Sequence, residues 1–160
     1  MSFSIASSAF ADGAAMPARY TGDGEDVSPP LNWNGAPTGT RAFALIVDDP
    51  DAPDPAKPKR TWVHWVVSNI PAETSSLPEA ASGRLMPPGA VEGKNDSNEV
   101  GYSGPYPPIG RHRYFFTLYA LDSPVRLPRG HTKAELLKAI HGRVLASSQL
   151  MGTYARSNGG

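Results

Sequence analysis

The 160-residue sequence contains no cysteine, which excludes disulfide bonds, thiolate metal sites and a cysteine nucleophile. Its 15 Lys and Arg residues are balanced by 15 Asp and Glu residues, so no net charge draws the chain to nucleic acid or to an anionic membrane. Long apolar runs are also missing, because no stretch approaches the roughly 20 residues of a membrane-spanning helix. We therefore expect no nucleic-acid partner and no membrane insertion, and any charged ligand must be bound by local side chains.

The N-terminal stretch MSFSIASSAFADGAAMP lacks the basic segment and the sustained apolar stretch that a secretory signal requires. We therefore expect a cytoplasmic protein. No internal repeat or linker divides the chain, so a single domain is predicted over 1–160. A domain of this length buries about 70% of the surface that its unfolded chain exposes.

With 16 Gly and 17 Pro, the sequence is rich in turn residues, and apolar segments typical of β strands lie between them. These segments are RAFALIV, TWVHWVV and HRYFFTLYAL, with FSIASSAF as a weaker fourth. Both faces of the first segment are apolar, which predicts a central strand. Long connections separate them: SPPLNWNGAPTGT, DAPDPAKPKR and the segment from about 87 to 108. Loops of this length in a compact domain are often functional.

One amphipathic helix is predicted near the C-terminus. Thr132 and Glu135 have the spacing of a capping box at its start. Apolar residues then recur at helical spacing before Gly152; they are Leu136, Leu137, Ile140, Val144 and Leu145. The predicted fold is mostly β, a β-sandwich with a C-terminal amphipathic helix.

The four histidines differ in their sequence context. His131 and His141 lie beside or within the predicted helix and are expected to be surface or helix-end residues. His64 and His112 each lie in an apolar strand, where a buried imidazole needs a hydrogen-bond partner. Because the acidic stretch VDDPDAP follows another such strand, these two histidines and an aspartate are expected to share one site.

Two kinds of catalytic site have little support in the sequence. A 2-His-1-carboxylate metal centre lacks any HxH or HExxH spacing, so neither a metal nor another cofactor is predicted. Gly101 to Gly104 resemble the start of a GxSxG nucleophile elbow around Ser103, but the fifth position is Pro105. The prolines that follow prevent the helix that this elbow requires, so a loop is expected.

An anion pocket agrees better with these residues. Backbone N–H groups at glycines approach a phosphate closely, and imidazoles donate to its oxygens. An Asp beside a phosphate would repel it unless the Asp orients a histidine, pairs with Arg113 or accepts from a ligand ammonium. A zwitterionic phosphoethanolamine headgroup suits such a mixed lining.

Three blocks occur in a characteristic order: DPDAP, WVHW and GYSGPYPPIGRHRYFF. They resemble the signature blocks of the phosphatidylethanolamine-binding protein family, also called the Raf kinase inhibitor protein family. The flanks MPARYTGDGEDVSPPLNWNGAP and AELLKAIHGRVLASSQLMGTYAR resemble its bacterial branch, so the resemblance extends from about residue 3 to 156. It implies a β-sandwich with a small pocket for phosphate, acetate or phosphoethanolamine-type groups.

The resemblance also implies roles for particular residues. The ligand-binding positions it implies are Asp49, Pro53, His64, Gly104, Pro105, His112 and Tyr114. Supporting roles are implied for Asp51, Arg113 and Trp62, with Asp51 paired to Arg113. A cis peptide bond is expected between Ala52 and Pro53.

The expected function is that of a non-enzymatic binding protein for a small anion or phosphorylated headgroup, with no catalytic residue and no cofactor. One alternative is a protein-interaction module that inhibits a protease or kinase through its Pro-rich loops. A second is a hydrolase or isomerase that uses the Asp and His pair. Tyr106 stands where animal and plant relatives have a second proline, which predicts a different pocket rim. A homodimer agrees with the bacterial branch, although no self-complementary patch is evident in the sequence.

Overall fold

The computed structural model describes residues 2–156. Within this range it contains eight β strands, one α helix and a short 3-10 turn at Ala18–Tyr20. The strands and the helix are β1 (Ser4–Ala6), β2 (Leu31–Asn34), β3 (Ala42–Ala52), β4 (Arg60–Pro71), β5 (Ser76–Leu77), β6 (Val91–Glu92), β7 (His112–Leu121), α1 (Lys133–Ile140) and β8 (Val144–Tyr154). The predicted mostly-β fold is confirmed.

The strands form two antiparallel sheets. The large sheet has the order β6-β4-β3-β7-β8 and the small sheet the order β1-β2-β5. The three apolar segments of the sequence become β3, β4 and β7, the three inner strands of the large sheet, and β3, at its centre, is apolar on both faces as predicted. No helix in the described range is long and apolar enough to cross a membrane.

The main core lies between the two sheets. On β3, Phe43, Leu45 and Val47 point to this side, and Trp33 of β2 meets the Phe43 ring edge-on at 5.6 Å between centroids. All four side chains are at least 96% buried. Burial of each such side chain stabilises the fold by about 1.5–3 kcal/mol, so the inner face of the large sheet is firmly anchored.

The opposite face of the large sheet is covered by α1. Leu136 and Ile140 of the helix pack with Ala44 and Ile46 of β3. The helix begins with the predicted capping box, in which Thr132 and Glu135 each accept a hydrogen bond from the other's backbone N–H. The prediction of an amphipathic helix at this point is therefore confirmed.

The predicted length of the helix is wrong. It ends at Ile140, and Val144 and Leu145 begin β8 instead of forming its last turns. Gly142 adopts a φ of +80°, which interrupts the helix. The following residues then pair with β7 along its whole length, and these ladder hydrogen bonds outweigh the helical spacing of the apolar residues.

The segment SPPLNWNGAPTGT, predicted to be a long connection, contains β2. Leu31 is 1% and Trp33 is 4% exposed, while Asn32 and Asn34 point to solvent. This alternation over four residues is too short to stand out among prolines and glycines. The 87–108 connection likewise contains the two-residue strand β6.

His131 lies directly before the N-cap of α1, as the prediction of a helix-end position requires, but it is buried rather than at the surface. It is 1% exposed, and its Nδ1 donates to the Pro128 carbonyl oxygen at 2.9 Å. Its backbone carbonyl accepts from Lys94 N–H, which joins the segment before α1 to the segment after β6. His141 is exposed at the C-cap of α1, as expected.

The packing of α1 can be tested with two adjacent leucines. Leu136 is fully buried, whereas Leu137 is 39% exposed. We expect Leu136→Ala to lower the free energy of unfolding by about 2–5 kcal/mol, because it leaves a cavity against β3. Leu137→Ala is expected to cost about 1 kcal/mol or less. Urea unfolding of both variants measures the difference, and equal losses would contradict the packing described.

Candidate functional site

A cavity of about 450 Å³ opens at one end of the large sheet. Three strands have their ends there, because β3 finishes beside the start of β4 and the start of β7. The residues that line the cavity are Asp49, Ala52, Pro53, Arg60, Trp62, His64, Ser97, Ser103, Gly104, Tyr106, Pro107, Pro108, His112 and Tyr114. Antiparallel pairing therefore brings together side chains that are up to 65 positions apart in the sequence.

Most of the residues implied by the resemblance line this cavity. The exception among the ligand-binding positions is Pro105, which is buried behind the wall, where its carbonyl oxygen accepts from Gly22 N–H at 2.8 Å. Trp62, expected to be a supporting residue, lines the cavity directly. Arg60, Ser97 and Ser103 also line it and were not predicted. For Arg60 a signal existed, since it shares the two-residue spacing of Trp62 and His64 along one strand.

A β-bulge at His64 sets the orientation of this histidine. Val47 of β3 pairs with Trp65, and the next residue, Asp48, pairs with Val63, so His64 is an extra residue on β4. Trp65 belongs to the core between the sheets, and Val63 to the core under α1. The extra residue allows His64 to lie on the same face as Trp65 instead of alternating with it.

His64 is tied to the loop that carries Ser103. Its Nδ1 donates to the Ser103 carbonyl oxygen at 2.6 Å, and Ser103 N–H donates to the His64 carbonyl oxygen at 3.0 Å. Burial lowers the pKa of His64, an effect that the Ser103 carbonyl and the charge of Asp49 oppose. The ring is therefore neutral at pH 7, and its Nε2 carries a lone pair.

Asp49 and His112 form a buried pair at the end of the cavity. His112 Nε2 lies 2.8 Å from the Ile109 carbonyl oxygen, and since a carbonyl only accepts, Nε2 carries a proton. His112 Nδ1 lies 2.6 Å from Asp49 Oδ2, so one further proton is shared between them. Asp49 Oδ1 accepts from Asp51 N–H at 2.7 Å. Wherever the shared proton resides, the pair has no net charge.

Tyr114 stands between the two histidines. Its ring meets His64 edge-on at 5.2 Å and stacks on His112 at 6.3 Å between centroids. Burial raises the pKa of the Tyr114 hydroxyl, so it remains protonated and available as a donor. Within residues 2–156, no protein group accepts from this hydroxyl.

The part of the cavity wall formed by Gly104 is held by contacts with residues outside the cavity. Gly104 N–H donates to Asp26 Oδ1 at 2.7 Å, and a Cβ at Gly104 would lie 2.3 Å from the Tyr20 carbonyl oxygen. The Tyr102 hydroxyl donates to that same oxygen at 2.6 Å. This close approach explains why glycine is needed at position 104.

The 87–108 connection is organised by a buried carboxylate. Glu92 accepts from Trp65 Nε1 at 2.7 Å, from the Ser82 hydroxyl at 2.6 Å and from Gly83 N–H at 2.7 Å. The Ser82 oxygen in turn accepts from Tyr102 N–H at 2.8 Å. Glu92 thus connects the core of β4 to the loop that bears the cavity wall.

The other two carboxylates of VDDPDAP point away from the cavity. Asp51 accepts from Arg113 through the backbone N–H and Nε, both at 2.9 Å, and through Nη2 at 2.8 Å. This confirms the predicted pairing. Asp48 binds Lys133 Nζ at 2.7 Å, which ties β3 to the start of α1. The Ala52–Pro53 bond is cis, as predicted.

Within the described range, the groups around the cavity form neither a serine–histidine pair nor a cluster of metal ligands. The Ser103 hydroxyl lies 3.2 Å from the Ser97 hydroxyl, and in the described chain no histidine nitrogen hydrogen-bonds to it. The nearest histidine, His64, directs Nδ1 to the Ser103 backbone carbonyl instead. Among residues 2–156, no three His, Asp or Glu side chains are grouped so that they could hold a metal ion.

Comparisons with known proteins agree with this architecture. A family model described as phosphatidylethanolamine-binding protein matches residues 6–155. A UPF0098 protein of Methanothermobacter thermautotrophicus is 49% identical over 150 residues, which cover 92% of this chain and 95% of the relative. A solved homologue of phosphatidylethanolamine-binding protein from Chlamydia trachomatis has a TM-score of 0.88 at 38% identity, with coverage of 98% and 99%. E. coli YbcL, described as a member of the mammalian family, has a TM-score of 0.89 at 32% identity, with coverage of 98% and 100%.

The Asp51–Arg113 pair should make stability depend on pH. Its hydrogen bonds lower the pKa of Asp51 below the unfolded value of roughly 3.9, so they stabilise the fold above that pH. We expect Asp51→Asn to be less stable than the wild type at pH 7, and the difference to shrink as pH falls below about 4. Urea unfolding at pH 7, 5 and 3 measures it. Asp122→Asn, at an exposed site, is the control, and a difference that is constant with pH would contradict this role for Asp51.

Proposed function

We propose, since this chain belongs to the phosphatidylethanolamine-binding protein family, that it is a non-enzymatic binding protein whose cavity holds a small anion. Inorganic phosphate and phosphorylated headgroups are the ligands that fit the proposal. The family suggests a binding role in general. The groups that remain free inside the cavity support an anion in particular.

Two polar atoms without protein partners carry the proposal. His64 Nε2 and the Tyr114 hydroxyl belong to cavity-lining side chains and form no hydrogen bond within the described range. Neither atom is sealed from solvent, because the one sealed and unpartnered side-chain atom among residues 2–156 is His131 Nε2. Both atoms therefore reach the cavity space from otherwise buried side chains, where a ligand can bind them in place of water, and this supports the proposal.

The charge at the cavity floor also favours an anion. A bare carboxylate would repel phosphate, but Asp49 shares a proton with His112, and that pair has no net charge. Asp49 is already held by two internal hydrogen bonds. It is therefore a poor partner for a ligand ammonium, and we expect phosphate and phosphoethanolamine to bind with similar affinity.

Geometry gives little support to hydrolysis. A serine nucleophile needs an adjacent general base, and the Ser103 hydroxyl is paired with Ser97 rather than with an imidazole. Both nitrogens of His112 are committed to Asp49 and to the Ile109 carbonyl. We therefore propose binding without turnover.

Anion binding should be coupled to protonation of His64. The proton of the neutral His64 ring is on Nδ1, which donates to the Ser103 carbonyl, so Nε2 donates to an anion only after the ring takes up a second proton. Burial lowers the pKa of this step. Asp26, Asp48 and Asp49 favour that protonated form. We expect the affinity for sulfate, which does not titrate in this range, to fall by about tenfold per pH unit above the lowered pKa.

The coupling is measured by calorimetric titration with sulfate from pH 5 to 8. His64→Asn keeps an amide donor for the Ser103 carbonyl and cannot titrate, so its weaker affinity should be independent of pH. A wild-type profile that is equally flat would show that His64 does not donate to the anion as an imidazolium.

The Tyr114 hydroxyl can be tested with a matched tyrosine on the same strand. We expect Tyr114→Phe to weaken the binding of phosphate and of phosphoethanolamine by about 10- to 100-fold, because a hydrogen bond to a charged group is lost. Tyr119→Phe, on the opposite face of β7, should bind as the wild type does. Calorimetry at pH 6 compares the three proteins, and unchanged affinity in Tyr114→Phe would contradict the proposed site.

A further inference from the structure

Arg60 lies on the cavity face of β4, at its mouth. Arg60, Trp62 and His64 alternate along the strand, so all three side chains lie on one face. The Arg60 guanidinium carbon is 4.7 Å from the centroid of the Trp62 ring. A strand rises about 3.3 Å per residue, which places Trp62 roughly 7 Å from His64 along β4. The cation therefore lies on the mouth side of the buried binding groups.

Arg60 is only lightly held by the protein. Its Nη2 lies 3.5 Å from Asp96 Oδ2, at the limit of a hydrogen bond, and its side chain is 56% exposed. Asp96 Oδ2 already accepts from Val63 N–H at 2.8 Å. A guanidinium has five N–H donors, so most of those on Arg60 remain free for a ligand.

At pH 7, Arg60 is the one charged side chain in the described cavity lining whose charge is not neutralised by another lining residue. Asp49 and His112 form a neutral pair, and His64 is neutral at pH 7. The field at the mouth of the cavity is therefore set by Arg60 and, more weakly, by its partner Asp96.

We propose that Arg60 is the residue by which the cavity distinguishes dianions, such as phosphate monoester groups, from monoanions such as acetate. This inference rests on the proposed function, because it concerns a ligand of the same cavity. Arg60 adds to the effect of His64, which carries a positive charge only after its ring takes up a proton, whereas the neutral Tyr114 hydroxyl does not distinguish the two kinds of anion by charge.

The size of the effect follows from Coulomb's law. The attraction between Arg60 and a ligand is proportional to the ligand's charge, so loss of the arginine costs twice as much free energy for a dianion as for a monoanion. The fold-change for the dianion is then the square of the fold-change for the monoanion. For a half-exposed side chain we expect about threefold for acetate and about tenfold for sulfate.

The test compares sulfate with acetate as ligands for Arg60→Gln, by NMR titration of the full chain at pH 6. The expected loss is about tenfold for sulfate and about threefold for acetate. Arg143→Gln removes the same charge from the other end of the large sheet, where Arg143 donates to Ser123, and should change neither affinity. Thermal unfolding of each variant checks that the fold is intact.

Asp96→Asn separates binding from a structural role of the Arg60–Asp96 pair. The asparagine retains an oxygen to accept from Val63 N–H, and it frees Arg60 from an opposing charge. We expect sulfate affinity to rise in Asp96→Asn and to fall in Arg60→Gln. If both variants weaken sulfate binding, Arg60 acts by holding Asp96 and the proposal is wrong.

The outcomes also separate this proposal from the function on which it rests. If the wild type binds neither anion, the proposed function fails. If it binds both through Tyr114, and Arg60→Gln weakens both equally or neither, the anion site stands and the selectivity of Arg60 is overturned.

Discussion

The proton shared by Asp49 and His112 is the constraint on which the candidate site depends. It joins the end of β3 to the start of β7, and the Ile109 carbonyl determines that the second imidazole nitrogen is a donor. Because the pair is neutral, a carboxylate can lie at the floor of a cavity without repelling an anion. Because both nitrogens of His112 are used in these hydrogen bonds, His64 Nε2 and the Tyr114 hydroxyl are the buried cavity groups of the described chain that remain free for a ligand.

Three sets of contacts around this pair hold the cavity in place. Antiparallel pairing brings the ends of β3, β4 and β7 to one edge of the large sheet. Glu92 links the core of β4 through Ser82 to Tyr102, and the reciprocal hydrogen bonds of His64 and Ser103 close the wall. The backbone of Tyr102, Ser103 and Gly104 thus holds the wall, while His64 Nε2 and the Tyr114 hydroxyl stay available to a ligand.

The apolar periodicity of the sequence predicted the central strands, and residue chemistry predicted that His64 and His112 share a site with an aspartate. The capped start of α1 was also predictable, because a capping box is local, whereas the Asp51–Arg113 pair, whose residues are 62 positions apart, was implied by the family resemblance. The end of α1 and the strand β2 were not predictable, since they depend on pairing between distant segments, and Arg60 was missed although its spacing along β4 was a signal. The cytoplasmic location, the homodimer and the ligand remain predictions.

The β-bulge at His64 has a consequence for how this chain tolerates changes in length. Upstream of the bulge, even-numbered residues of β4 face the cavity, whereas Trp65 and Val67 downstream of it face the core. Loss or gain of one residue between Arg60 and Trp62 would rotate Arg60 to the opposite face while leaving Val63, Trp65 and Val67 in place. The loop between Pro53 and Arg60 is free of this restriction, so a change in its length would not alter which residues of β4 face the cavity.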